Sequence, residues 1–203
     1  NLISFGVQSF APERLKLLGR DHSAEDACRA IEEAVKIGIA NVSLDLIFGV
    51  PEQSLNDLEK DLVTSVALPI THLSTYALTI EPGTPFFQRQ ERGLLAMPAD
   101  SLVAEMLQYI PRFLESHGFQ RYEISNYARP TFESRHNRAY WLGHDYLGIG
   151  AGAHSYVAHH DDAGLLHAAD RWSTFALPDG YMKAVEAGSA VSWRERIDQR
   201  ALE

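Results

Sequence analysis

Apolar positions along about the first 120 residues alternate between two periods, and their order predicts the architecture. Residues 2–7 (LISFGV), 41–49 (NVSLDLIFG) and 73–80 (LSTYALTI) are apolar runs of strand length, and the second is nearly continuous, as in a strand buried on both faces. Between them the spacing turns helical. Residues 12–18 predict a short helix. Ser23 with Asp26 three residues on forms a capping-box start for a second, which carries Ala27, Ile31, Ala34 and Val35 inward and ends at Gly38. Ser54 opens a third, with Leu58, Leu62 and Val66 four apart on one face. A β-α-β-α-β order of this kind predicts an α/β fold with parallel strands.

A Gly-, Pro- and Thr-rich loop at 81–86 leads to a helix over about 101–115, in which Pro111 predicts a kink or a junction of two helices. Beyond Gly118 the pattern becomes short strands, at 119–125, 139–142, 146–151 and 155–158. An amphipathic helix at 178–187 follows, stopped by Gly188, and residues 194–203 read as a closing helix. The expected division is therefore 1–118, the β/α units, and 119–203, a mixed β-rich region with terminal helices that is incomplete at its C-terminal end. Three parallel units cannot close a barrel, which takes about eight strands, so further strands are expected upstream of Asn1. On this reading the chain is an internal piece.

Charge narrows the partners. With 27 acidic against 18 basic residues and a net charge of −9, the chain lacks the electrostatic footprint of a nucleic-acid binder. No apolar run approaches the roughly 20 residues of a membrane span, and no signal-peptide pattern opens the chain, so a cytoplasmic location is expected. The single cysteine, Cys28, excludes an internal disulfide framework and any cysteine-built metal or cluster site from these residues alone. Its place on the inward side of a helix points to packing.

In parallel β/α folds ligands sit at the carboxyl ends of the strands. Gln8 and Ser9 follow the first strand. Asp45 lies inside the second between Leu44 and Leu46, and an acidic side chain there is costly unless paired or bound. Arg20 is its natural partner. Two readings stand: a buried structural ion pair, or an amide, a guanidinium and a carboxylate converging on a zwitterionic ligand with a ribose.

The runs SFGVQSF (4–10), LLGRDHS (17–23), NVSLDLIFGVP (41–51), HLSTYALTIEPGTPF (72–86), YEISNYARP (122–130), RHNRAYW (135–141) and DYLGIGAGAHSY (145–156) resemble, in order and spacing, one family. It is the radical SAM family of oxygen-independent coproporphyrinogen III oxidase-like proteins, and the likeness is nearest to its heme chaperone branch, marked by His-Asn-x-x-Tyr-Trp. His136, Asn137, Tyr140 and Trp141 match that motif. The resemblance implies the C-terminal half of a partial (β/α)6 TIM-like barrel, strands four to six, plus a small mixed α+β region. It implies contacts of Gln8, Arg20 and Asp45 with S-adenosyl-L-methionine, and makes His154 a neighbour of cofactor or substrate. It also implies a 4Fe-4S cluster, whose cysteine loop is absent here and is expected upstream, so this piece alone is not expected to be active.

The function implied is heme binding and delivery by a chaperone, with heme or a porphyrinogen as ligand and a heme-accepting protein as partner. The alternative is oxidative decarboxylation of coproporphyrinogen III. An unrelated β/α-barrel enzyme is a third reading, which the order of the motifs disfavours. Histidine and flat aromatics suit a porphyrin, through iron ligation and stacking. A helical or an extended segment at 136–141 fits equally well, as does a structural role for His136 and Trp141. Ser134 departs from relatives that carry cysteine there, which removes a thiolate ligand. The G-x-G-x-G of Gly148, Gly150 and Gly152 has no helix after it, against a dinucleotide fingerprint, but suits close backbone approach. His159, His160, Asp161 and Asp162 read as a hairpin tip, and His22, His72, His117, His144 and His167 as structural.

Overall fold

The computed structural model describes residues 2–198, which form two compact units that meet between Ser134 and Arg135 in the sequence. In the first, β1 (Ile3–Gln8) leads through α1 (Pro12–Leu17) and α2 (Ala24–Lys36) to β2 (Val42–Phe48), then through α3 (Leu55–Ala67) to β3 (His72–Ala77). After these come α4 (Pro85–Glu91), α5 (Asp100–Ser116), β4 (Gln120–Arg121) and β5 (Asn126–Ala128). The strands β1, β2 and β3 are parallel neighbours, as the alternation of strand and helix predicts. Next to β3 lies β5, antiparallel, with β4 on its outer edge.

The capping box expected at Ser23 forms, and the helix opened by Ser54 starts with a second one. Ser23 accepts from the Asp26 N–H and Ser54 from the Asp57 N–H, and each carboxylate accepts in return from the serine backbone. The core lies between one sheet face and the helices. Val42, Leu44, Leu46 and Phe48 of β2, with Val7 and Leu73, bury against Ile31, Leu58, Leu62, Ile110 and Leu114. Each such side chain contributes about 2 kcal/mol of apolar burial. Val35, expected inward, lies on the exposed side of α2. Residues 100–116 form a single helix through Pro111 rather than two, because Met106, Ile110 and Leu114 are fully buried on either side of the proline.

The first unit runs to Ser134, beyond the boundary expected at Gly118, since β5 pairs with β3 and carries the chain back onto the sheet. In the second unit, α6 (Arg135–Trp141) precedes β6 (His154–His160), β7 (Leu166–Thr174), α7 (Pro178–Glu186) and β8 (Val191–Asp198). The three strands make an antiparallel meander. Two expectations change here. Residues 139–141 belong to a helix and Leu142 to the turn after it, not to a strand, and 146–151 stay irregular apart from a single bridge of Tyr146 to Tyr156. Residues 194–198 are strand, not helix, because β8 pairs with β7 along its length; the rest of the expected closing helix, 199–203, lies outside the described residues. Among the described residues no helix is long and apolar enough to cross a membrane.

A buried polar clamp ties the end of β1 to α3. Asp61 accepts from the Ser9 hydroxyl and from the Phe10 N–H, both at 2.8 Å, and the Arg14 guanidinium stands 4.0 Å away. Burial pushes the Asp61 carboxyl up, and the Phe10, Ser9 and Arg14 contacts act against that rise. Asp61→Ala leaves these donors buried without an acceptor and should cost about 3 kcal/mol in urea unfolding. A loss under about 1 kcal/mol would show that the clamp is dispensable.

Candidate functional site

The pleat that sends Leu44, Leu46 and Phe48 into the core sends Ser43, Asp45 and Ile47 to the opposite face of β2. Neighbouring strands add Ser4 and Gly6 on one side and His72, Ser74 and Tyr76 on the other, and past an irregularity in β1 after Phe5 the Gln8 side chain turns to this face as well. At the carboxyl ends of these strands a cavity of about 380 Å³ is lined by Gln8, Asp45, Ile47, Tyr76, Ala77, Leu78 and Thr79. Of the amide, guanidinium and carboxylate expected to converge, Gln8 and Asp45 share this cavity.

Gln8 is held in a backbone conformation that side chains rarely adopt, with φ of 69°. The Ser9 N–H donates to the Val7 carbonyl at 2.9 Å, closing a tight three-residue turn around it. Strain of this kind costs about 1–3 kcal/mol and persists where the surroundings enforce it. The Ser9–Asp61 clamp supplies the enforcement. A Cβ on Gly6 would stand 2.8 Å from Gln8 Nε2, so the Gln8 amide lies back over Gly6 and would have to swing aside for any larger residue.

Asp45 accepts a hydrogen bond from the Ser4 hydroxyl at 3.0 Å, and no ion pair with Arg20 forms. Arg20 is exposed and lines a separate groove of about 210 Å³ with Lys16, Asp21 and His22. Its loop is fastened to the end of β1, where His22 Nε2 meets the Val7 carbonyl at 3.1 Å. The ion-pair reading of Asp45 therefore falls, because the hydroxyl of the adjacent strand reaches the carboxylate first. Cys28 is half-buried on α2, and burial raises its thiol above the ordinary value.

His72, read from the sequence as structural, is so in the fold, with partners the sequence did not indicate. It is buried, and both ring nitrogens are hydrogen-bonded, Nδ1 to the Ser43 hydroxyl at 2.7 Å and Nε2 to the Tyr122 hydroxyl at 2.8 Å. Beside it Ser74 is in register with Asp45 on one side and Asn126 on the other, and the buried Asn126 Oδ1 has no partner among the described residues. A polar row thus crosses four strands. The signal was present as two period-2 pairs, Ser43 with Asp45 and His72 with Ser74, inside otherwise apolar strands.

In the second unit α6 is helical, which decides between the two conformations left open for 136–141. His136 and Tyr140, one turn apart, meet edge to face with ring centroids 4.8 Å apart. Trp141 is 61% exposed, and Asn137 lies on the same short helix. His154 opens β6 with an exposed side chain. Gly148 allows the approach expected of a bare backbone: a Cβ there would collide with the His154 carbonyl. Of the residues read as a hairpin tip, His159 and His160 end β6, where His159 Nε2 meets Asp170 Oδ2 at 2.9 Å, and Asp161 and Asp162 lie in the turn, where Asp161 Oδ1 accepts from the N–H groups of Ala163 and Leu165. Among the described residues no group of three His, Cys, Asp or Glu side chains is placed to hold a metal ion.

Residues 1–63 match the Radical SAM superfamily model. The chain is 43% identical over 157 residues to the heme chaperone HemW of Bacillus subtilis (strain 168), covering 77% of this chain and 41% of that protein. It is 41% identical over 187 residues to the mitochondrial radical S-adenosyl methionine domain-containing protein 1 of Danio rerio, covering 92% and 42%. It therefore spans about two fifths of the length of these relatives. The solved coproporphyrinogen III oxidase HemN of Escherichia coli, a radical SAM enzyme, shares the fold at a TM-score of 0.74 and 24% identity, over 98% of this chain and 46% of that one.

Burial holds the His72 imidazole below its ordinary value, against the opposing pull of Asp45 and Glu123. An imidazole depressed in the folded state contributes stability that is complete above the unfolded pKa of about 6.5 and is lost as pH falls toward the folded value. Unfolding free energy should therefore drop between about pH 7 and pH 5, and His72→Gln should flatten that slope. An unchanged slope in the variant would mean that His72 is not the group titrating.

Proposed function

The chain is related to the radical SAM family of oxygen-independent coproporphyrinogen III oxidase-like proteins, on its heme chaperone side, and from that premise we propose that the whole protein binds heme and delivers it to an accepting protein. The observation that carries this reading is the arrangement on α6. His136 and Tyr140 share one side of the helix, with Trp141 and Leu142 exposed beside them. An imidazole ligates heme iron, and exposed rings cover a flat macrocycle. Asn137 belongs to the same motif and is assigned to the same site. The cytoplasmic location expected from the sequence belongs to the same proposal.

S-adenosyl-L-methionine fits the cavity of the first unit. The Gln8 amide and the Asp45 carboxylate, only one of whose oxygens is engaged by Ser4, stand together at the strand ends and suit ribose hydroxyls or an amine. Arg20, on the loop that His22 fastens to β1, is assigned to the carboxylate of the same cofactor. His154 is retained as a neighbour of cofactor or substrate. When bound beside a reduced iron-sulfur cluster, this cofactor supplies radical hydrogen abstraction. The residues of this chain do not provide a cluster site, since one cysteine on α2 cannot furnish a set of thiolates.

Two measurements test the proposal on the full-length protein. In an anaerobic titration followed at the Soret band, heme should bind stoichiometrically, and His136→Ala should weaken it about tenfold, near 1.4 kcal/mol. Absence of heme binding together with turnover of coproporphyrinogen III would establish the oxidase alternative instead. For the cofactor cavity, Asp45→Asn should raise the dissociation constant for S-adenosyl-L-methionine about tenfold in equilibrium dialysis, the expected effect of removing a charge-assisted contact. Equal binding would place the cofactor elsewhere.

A further inference from the structure

The run of rings that begins at His136 continues beyond α6. Tyr140 meets Tyr146 edge to face at 4.4 Å, and Tyr146 stacks on Tyr156 at 6.1 Å with the planes 17° apart. Directly across the β6–β7 ladder from Tyr156 stands Arg171, so its side chain leaves the sheet on the same face as the last ring. The guanidinium lies 6.0 Å above the ring of Trp193, the residue across from Ser173 on β8. Burial raises the Tyr146 phenol above its ordinary value and the Arg171 charge opposes that rise, which brings the cation within electrostatic reach of the middle of the ring run. Glu195 is in register with Arg171 on β8, yet among the described residues Arg171 forms no salt bridge.

The second unit therefore carries an exposed imidazole at one end of the run, tyrosine rings along it of which Tyr146 and Tyr156 are half-buried, and at the other end an exposed cation that forms no salt bridge among the described residues. A porphyrin of the heme type has the complementary chemistry: a flat apolar disc with carboxylates on one edge. Guanidinium binds carboxylate through paired hydrogen bonds, and an aromatic ring beneath it shields those bonds from water. We infer that Arg171 pairs with a propionate carboxylate of the bound porphyrin, so that this site selects porphyrins with a free acid edge. The inference rests on the heme reading above and deepens it.

The test titrates ferric heme and its dimethyl ester separately into the full-length protein, as wild type, Arg171→Gln and Arg171→Lys. Wild type should bind the free acid about tenfold more tightly than the ester. Arg171→Gln should bind both forms at the level of the ester, and Arg171→Lys should recover part of the difference because the charge remains without the planar fork. Equal binding of acid and ester by wild type, or discrimination that survives in Arg171→Gln, would overturn the inference while leaving heme binding in place. Binding of neither form by wild type would overturn the heme reading, and the role of Arg171 with it.

Discussion

The organisation of the first unit depends on the pleat of β2. One face of that strand must be apolar, because Leu44, Leu46 and Phe48 meet the buried faces of the helices with almost no exposure. The period of two then fixes where Ser43, Asp45 and Ile47 can point. Neighbouring strands, parallel β1 and β3 and antiparallel β5, extend the separation across the sheet, so that Ser4, Ser74, His72 and Asn126 gather on the side away from the helices. A slip of one residue in the register of β2 would bury Asp45 among leucines and empty the cavity of its carboxylate.

Holding polar groups on such a face requires that strand ends do not fray. The Ser9–Asp61 clamp does this at β1. It spends a buried carboxylate, pushed up by desolvation, to pin the turn that keeps Gln8 left-handed. Gly6 leaves room for the amide, and His22 fastens the following loop to the same strand end. Stability and site geometry are thus coupled through one short segment, residues 6–9. The cavity inherits rigidity from the core rather than from the loops around it.

The second unit reaches its arrangement by different physics. Its described strands carry few large buried side chains, and the meander is held mainly by ladder hydrogen bonds and by contacts along its edges. Gly148 lets the irregular segment after α6 lie against β6, which brings Tyr146 onto Tyr156. Thr174 completes the attachment, donating to the Gly150 carbonyl at 2.6 Å and accepting from the Ala153 N–H at 3.0 Å. Through these backbone contacts a helix motif and a sheet face form one continuous aromatic surface.

Local signals by themselves determined the β-α-β-α-β order, the capping box at Ser23, the inward residues Ile31, Leu58 and Leu62, and the positions of Gln8 at the end of the first strand and Asp45 within the second. Each of these rests on periodicity or on interactions within a few residues, which a linear pattern records. Motif likeness also identified the kin that the comparisons bear out. Tertiary structure decided the rest. Residues 166–174 and 191–198 are strands because they pair with each other; their few large apolar residues carry little period-two signal, and a helical reading of 194–198 was lost to that pairing. Asp45 answers to Ser4 rather than to Arg20, because parallel register sets which side chain stands within 3.0 Å and sequence separation does not. His72 looked ordinary for the same reason: its partners Ser43 and Tyr122 lie 29 and 50 residues away, and only the folded sheet brings them to its ring.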